Sequence, residues 1–224
     1  MANRKFIDQQ RKPVREIKPN TRSVTGTHNG QQFESTLERD LLTLMNWRHD
    51  VERCQVQPTT IPYDGPDDKP RSYTPDLLVV FKDSFKKSSP QPPMYCEAKF
   101  REDLIENWSE YKPKFKAAIR FAKRHGCRFK IFTEQEIRTP YLDNVKFLFR
   151  YRTSECHAEY RDAIRQLLQT KGRTSPIEIM RNVALTREDR GKALWTLWCM
   201  VARNEIQFDE DEPLTQESEL WIEI

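Results

Sequence analysis

Asp76, Glu97 and Lys99 are the residues whose types and spacing suit cleavage of a phosphodiester. Pro75-Asp76 lies inside SYTPDLLVV and Glu97-Ala98-Lys99 inside PMYCEAKF, two runs of strand composition. Side chains two apart on a strand point the same way, so Glu97 and Lys99 share a face while Ala98 takes the other. Asp76, on a neighbouring strand, completes a carboxylate pair able to bind Mg²⁺ through oxygens, with positions left for water and a phosphate oxygen. Lys99 would orient or deprotonate that water and balance charge developing in the transition state. Glu38, on a preceding helix, is a third candidate oxygen ligand.

The bare pattern is not rare, and the chain carries its own decoys. Glu16-Ile17-Lys18 sits upstream of any strand, and Pro66-Asp67 sits in the hydrophilic GPDDKP loop. Asp76 and Glu97 differ because each interrupts an apolar strand, where a charge costs several kcal/mol unless it is paired or metal-bound. The bland alternatives are an edge-strand ion pair for Glu97 and Lys99, and a capping box of Ser35 with Glu38.

The elements that must position these residues follow from periodicity. Leu37, Leu41 and Leu44 after Ser35 predict a helix over 36–47. Three strands, 52–57, 72–81 and 93–100, read as an antiparallel meander around turn-rich links. A helix over 113–124, with Pro113 in its first turn and Gly126 as its stop, leads to a strand over 127–134. A shorter helix through Leu142, Val145 and Phe149 closes this α/β module. Beyond a linker at 152–154, helices over 155–169, from Ser175-Pro176, and over 188–203 precede two short strands, EIQF and ELWIEI. Three helices and a hairpin have the outline of a winged helix. The expected organisation is a basic arm (1–25), an α/β domain (26–153) and a small winged-helix-like domain (154–224).

Charge divides along the same line. Residues 1–153 hold 29 Lys and Arg against 20 Asp and Glu, a net +9, and residues 154–224 hold 9 against 14, a net −5. The first part suits a phosphate backbone and the second does not, its would-be wing being Asp209-Glu210-Asp211-Glu212. Eight basic residues and no acidic one lie between Tyr111 and Lys130. Lys112, Lys116, Arg120 and Arg124 recur at i, i+4, so with Lys123 they form a candidate DNA-binding helix face. The basic, unpatterned arm at 1–25 reads as an extended segment in reach of DNA. Trp195, Trp198 and Trp221 supply core area or a protein interface. Five widely spaced cysteines show no C-x-x-C pair, and Cys54, Cys96 and Cys127, each in a strand-like run, read as buried thiols. The longest apolar run, 77–81, is far short of a membrane span, and the charged start has no signal-peptide core, so a cytoplasmic protein is expected.

FESTLERDLL with Glu38, YTPDLLVV with Asp76, and CEAKF with Glu97 and Lys99 together resemble the PD-(D/E)xK nucleases. Within them the likeness is to the TnsA endonucleases of heteromeric cut-and-paste transposons, and it covers nearly the whole chain. The resemblance implies a restriction-endonuclease-like mixed sheet flanked by helices. It implies Mg²⁺, with Mn²⁺ substituting, held by Glu38, Asp76 and Glu97, with Lys99 completing the catalytic set. It further implies cleavage of the 5′ strands of double-stranded DNA at transposon ends, beside a TnsB-like DDE transposase that cuts and joins the 3′ ends and a TnsC-like AAA+ regulator. Some members have Gln where this chain has Glu97. The competing expectations are a stand-alone nuclease of the same fold, such as a restriction enzyme or junction resolvase, and a non-catalytic DNA-binding adaptor.

Overall fold

The computed structural model describes residues 4–10, 12–14, 26–28, 31–83 and 91–223 of the 224. The chain falls into two compact units, Met1–Arg138 and Thr139–Ile224.

In the first unit, α1 (Arg4–Gln9), the hairpin strands β1 (Gly26–His28) and β2 (Gln31–Phe33), and α2 (Thr36–Trp47) precede the sheet. Helix α2 spans the predicted residues and buries Leu37, Leu41, Leu42, Leu44, Met45 and Trp47. The strands β3 (Val51–Val56), β6 (Leu77–Phe81), β7 (Met94–Ala98) and β8 (Arg128–Phe132) form a mixed sheet in that order. β6 runs antiparallel to both β3 and β7, and β8 runs parallel to β7, as a helical crossover allows. A separate hairpin, β4 (Ile61–Asp64) with β5 (Pro70–Tyr73), is inserted between β3 and β6, and it takes residues 72–73 from the strand expected over 72–81, which begins only at Leu77. The crossover is α3 (Arg101–Glu106) followed by α4 (Trp108–Arg124), and α5 (Glu134–Ile137) follows β8.

Strand alternation sends Leu78, Val80 and Tyr95 to one face, where Ile7, Ala122 and Cys127 pack on them with Phe6, Phe121 and Phe129. Helix α2 packs on β3 and β7. Cys54, Cys96 and Cys127 are buried free thiols, and burial pushes Cys54 up to about 12.

Several expectations need correction. Residues 4–9 of the expected extended arm are helical, and Ile7 is 1% exposed in the core. Arg53 donates to the carbonyls of Ile7 and Gln10 at 2.8 and 3.3 Å, and Tyr95 donates to the Gln10 side chain at 2.9 Å, which docks this segment on the sheet. Residues 15–25 of the arm lie outside the described residues. Helix α4 begins five residues before Pro113, which stands inside it. The Asp103 carboxylate supports that earlier start by accepting from the Asn107 amide at 2.8 Å and the Tyr111 hydroxyl at 2.9 Å. Gly126 ends the helix at φ 68°, a left-handed position that glycine adopts without strain.

The second unit begins with α6 (Pro140–Leu148), earlier than the expected linker at 152–154. Phe147 on α6 sets its ring edge-on to Trp198, 5.2 Å away, which ties α6 to the helices that follow. These are α7 (Ala158–Lys171), α8 (Pro176–Val183) and α9 (Arg187–Ala202), and then an antiparallel pair, β9 (Gln207–Phe208) and β10 (Leu220–Trp221). Ser175 caps α8 and Pro176 opens it. The acidic loop is clasped by Asn144, whose amide donates to the Glu212 carbonyl at 2.8 Å and accepts from Leu214 N–H at 2.7 Å. No helix among the described residues is long and apolar enough to cross a membrane.

Candidate active site

The two central strands bring the candidate residues together where β6 begins and β7 ends. Asp76 stands one residue before β6 and accepts from the Ala98 N–H through Oδ2 at 2.8 Å. Its carbonyl accepts from the Gln57 N–H at 2.9 Å. Glu97 is 2% exposed, and its charge is balanced inside the protein. Tyr73 donates to Glu97 Oε2 at 2.6 Å, and both Lys99 and Lys114 set Nζ 3.7 Å from Oε1. Lys114 reaches in from α4 across the ring of Tyr111, 4.3 Å from its centroid.

Glu38 arrives from the first turn of α2. Ser35 caps that helix by accepting from the Glu38 N–H at 3.1 Å. The Glu38 carboxylate reaches back, accepting from the Glu34 N–H at 2.9 Å and the Ser35 hydroxyl at 3.1 Å. Capping and a place in the site therefore coexist. Glu38, Gln57 and Asp76 line one small cavity with Leu41, Leu42, Val56 and Leu77. Its free space, about 10 Å³, is that of one water-sized sphere.

The charges divide unevenly. Burial, then the carboxylates of Glu97 and Glu38, raises Asp76 well above the usual carboxylate range. Burial also raises Glu38, with Glu34 adding to it. Burial and the Glu97 and Asp76 charges push the Tyr73 hydroxyl far up, so Tyr73 stays a donor. For Lys99 burial works downward, but Glu97, Asp76, Tyr111 and Glu38 outweigh it and hold the ammonium protonated. Lys114 moves the other way, burial pulling it down with Lys99 repelling it and Glu97 only partly offsetting this. In these surroundings Lys99 is a cation suited to a phosphate oxygen.

Among the described residues no group of three His, Cys, Asp or Glu side chains is set at metal-ligand spacing, because Glu97 is turned onto its lysines and Tyr73. Glu38, Gln57 and Asp76 are the polar residues of the small cavity. Glu38 and Asp76 line it, and Gln57 Oε1 is buried without a hydrogen-bond partner. Glu38 and Asp76 are oxygen donors of the kind a small divalent ion takes, beside a cavity otherwise lined largely by leucine and valine.

Lys114, Tyr73 and Gln57 were not singled out for the site from sequence. Lys114 was legible only as one more member of the basic run, and nothing in the sequence sets it apart from its exposed neighbours. Lys112, Lys116, Arg120, Lys123 and Arg124 are all exposed on α4, and no ion pair is formed by any of them among the described residues. The buried face of the same helix carries Phe115, Ala117, Ala118 and Ala122.

A comparison with curated proteins returned no match. Two family models do match, TnsA-like endonuclease N terminal over residues 48–134 and TnsA endonuclease C terminal over residues 136–209. The first takes in Asp76, Glu97 and Lys99 and begins downstream of Glu38. The two halves follow in the order N terminal, C terminal, so the chain belongs to the TnsA endonucleases, a family of transposon-associated nucleases.

Proposed function

We propose that this chain is a Mg²⁺-dependent DNA endonuclease that cuts the 5′ strands at transposon ends as one subunit of a transposase. The observation that carries the reading is the meeting of Asp76, Glu97 and Lys99 on adjacent central strands of a chain matched by both TnsA models. Glu38, Asp76 and Glu97 would hold the metal ion, which supplies a polarised phosphate oxygen and an acidified water; Mn²⁺ would substitute. Lys99, fixed as a cation, holds a non-bridging phosphate oxygen and stabilises charge gained in the transition state. Tyr73 and Lys114 keep the Glu97 carboxylate in place. The exposed cations of α4 grip the backbone without reading bases.

The second unit, three helices and a short hairpin, supports a winged-helix-like reading. Its acidic loop at 209–212 is ill suited to phosphate and directs it to protein partners, among them a TnsB-like DDE transposase and a TnsC-like AAA+ regulator. Such a subunit acts in the cytoplasm.

Strand-specific mapping of cleavage on end-containing DNA, with and without the neighbouring transposase, tests this. The expected result is cutting of 5′ strands that depends on Mg²⁺ and on the partner. Efficient site-specific double-strand cutting by the purified chain alone would assign it instead as a stand-alone nuclease.

A further inference from the structure

Glu38 and Lys99 reach the site from separate parts of the chain, Glu38 from the first turn of α2 and Lys99 from the residue after β7. The Lys99 segment is fixed to β8 and α5 through its backbone. The Lys99 N–H donates to the Phe132 carbonyl at 3.0 Å, and the Arg101 N–H donates to the Glu134 carboxylate at 2.8 Å. Glu38 depends on where α2 begins, because its carboxylate is bound to the Glu34 N–H and the Ser35 hydroxyl at the start of that helix.

Arg138, the C-cap of α5, spans the two. Its Nη2 donates to the Thr36 hydroxyl at 2.8 Å and its Nε to Asp40 Oδ2 at 3.2 Å, so the guanidinium binds α2 on both sides of Glu38 in the sequence. The guanidinium carbon lies over the ring of Phe100, 5.5 Å from its centroid, and Phe100 is the residue after Lys99. A planar guanidinium offers both a fork of donors and a flat face, which an ammonium does not. Asp40 is buried, and Arg39 holds its other oxygen at 3.0 Å, so a neutral residue in place of Arg138 still leaves Asp40 paired. The Arg138 side chain is 40% exposed, and an ion pair so open to water adds little stability.

We propose that Arg138 is a positioning residue for the cleavage reaction, setting the first turn of α2, and Glu38 with it, against the segment that carries Lys99. The inference rests on the nuclease reading above and adds a residue to it. Contacts worth little to stability but tied to both sides of a site act through geometry, since misplacing a group by about 1 Å can cost 10²-fold in rate.

The test is Arg138→Met and Arg138→Lys in the complete transposase with end-containing DNA, beside amide hydrogen exchange of the metal-free full chain. Met is expected to slow 5′-strand cleavage about 10- to 100-fold, the scale for losing a partner that orients a ligand. Lys keeps a cation for Asp40 and loses the fork and the flat face, so its rate should fall between Met and the unmutated chain. Exchange should quicken in the first turn of α2, with the melting temperature and the affinity for DNA little changed. In a Glu38→Gln background Arg138→Met should slow cleavage no further, because the group it positions is already gone. A merely structural Arg138 would lower the melting temperature and quicken exchange throughout the first unit, with no such dependence on Glu38. Cleavage at the unmutated rate, or a loss that multiplies with that of Glu38→Gln, overturns the proposal. So does a uniform loss of DNA affinity with a shallower salt slope, which would make Arg138 a phosphate contact. If Arg138→Met does not fold, an unmutated rate and unmutated exchange in Arg138→Lys overturn it. If the unmutated chain makes no 5′ cut, the nuclease reading falls and the role of Arg138 with it, whereas 5′ cutting that Arg138→Met leaves intact removes that role alone.

Discussion

The two sides of the site solve the problem of buried charge in opposite ways. On the β7 side, Glu97 is satisfied from within by Tyr73, Lys99 and Lys114. On the other side, Asp76 and Glu38 line one cavity with Gln57, whose Oε1 is an orphaned acceptor, and burial and like charge raise both acids. A buried ion pair complete in the protein preserves geometry, whereas an incomplete one stores a preference for something not yet bound. The first side is complete within the protein, and the second leaves one buried acceptor and two raised acids.

Substitution on each side should break the site differently. Lys99→Ala is expected to lower the cleavage rate by on the order of 10²–10³-fold, the scale for removing one charge-stabilising donor. It should leave Mn²⁺ binding intact, because Lys99 opposes the cation. Asp76→Ala should lose cleavage and Mn²⁺ binding together. In vivo, if only 5′ cutting is lost, long-read sequencing of insertion products should find the donor fused to the target with two element copies, in place of simple insertions. Simple insertions at the unmutated ratio from Asp76→Ala would make the adaptor reading the better one.

A smaller effect separates the site from its approach. Changing Lys112, Lys116, Arg120 and Arg124 together to Gln should reduce the slope of log affinity against log salt by up to about 0.9 for each phosphate no longer neutralised, for every sequence alike. Lys114, on the same helix, should not change that slope, since it is turned onto Glu97. A slope unchanged in the fourfold variant would show that the cationic face does not grip DNA.

The contrast explains what could be read in advance. Helix α2 and the central strands were legible because leucines at helical spacing and apolar runs depend only on local period. Asp76, Glu97 and Lys99 were legible because charges in such runs stand out. Lys114 was not, because its role depends on how α4 lies over β7, and a lysine in a basic run carries no mark of it. Gln57 was hidden for a related reason, since an orphaned oxygen is a property of the packed chain. The β4–β5 hairpin was missed because Pro, Gly and Asp between short strands look the same whether the flanks pair or not. Pro113 misled at α4, where side-chain bonds from Asn107 and Tyr111 to Asp103 hold a turn that precedes the proline.

The smallest effect tests the unsatisfied side directly, through the pH dependence of stability without metal. Burial, Glu97 and Glu38 raise Asp76 in the folded chain, while in the unfolded chain it titrates near the ordinary value of about 4. The folded state therefore binds this proton at pH values where the unfolded state has released it. That contribution is fully present below about pH 4 and is lost as pH rises through the raised folded value, so metal-free protein loses stability toward neutrality from this group. Glu38, also raised, adds in the same direction. Asp76→Asn keeps an acceptor for the Ala98 N–H and removes the titration. Its melting temperature in EDTA should exceed that of the unmutated chain at pH 7.5, with the difference shrinking toward pH 5. About 1 kcal/mol moves the midpoint by roughly 2–4 °C in a chain of this size, within reach of calorimetry. The four histidines are common to both proteins, so the difference isolates Asp76. Saturating Mg²⁺ should reverse the order at pH 7.5, because only the unmutated carboxylate gains from the cation. An asparagine variant less stable than the unmutated chain in EDTA at neutral pH would show that the acidic side is satisfied within the protein, as the Glu97 side is.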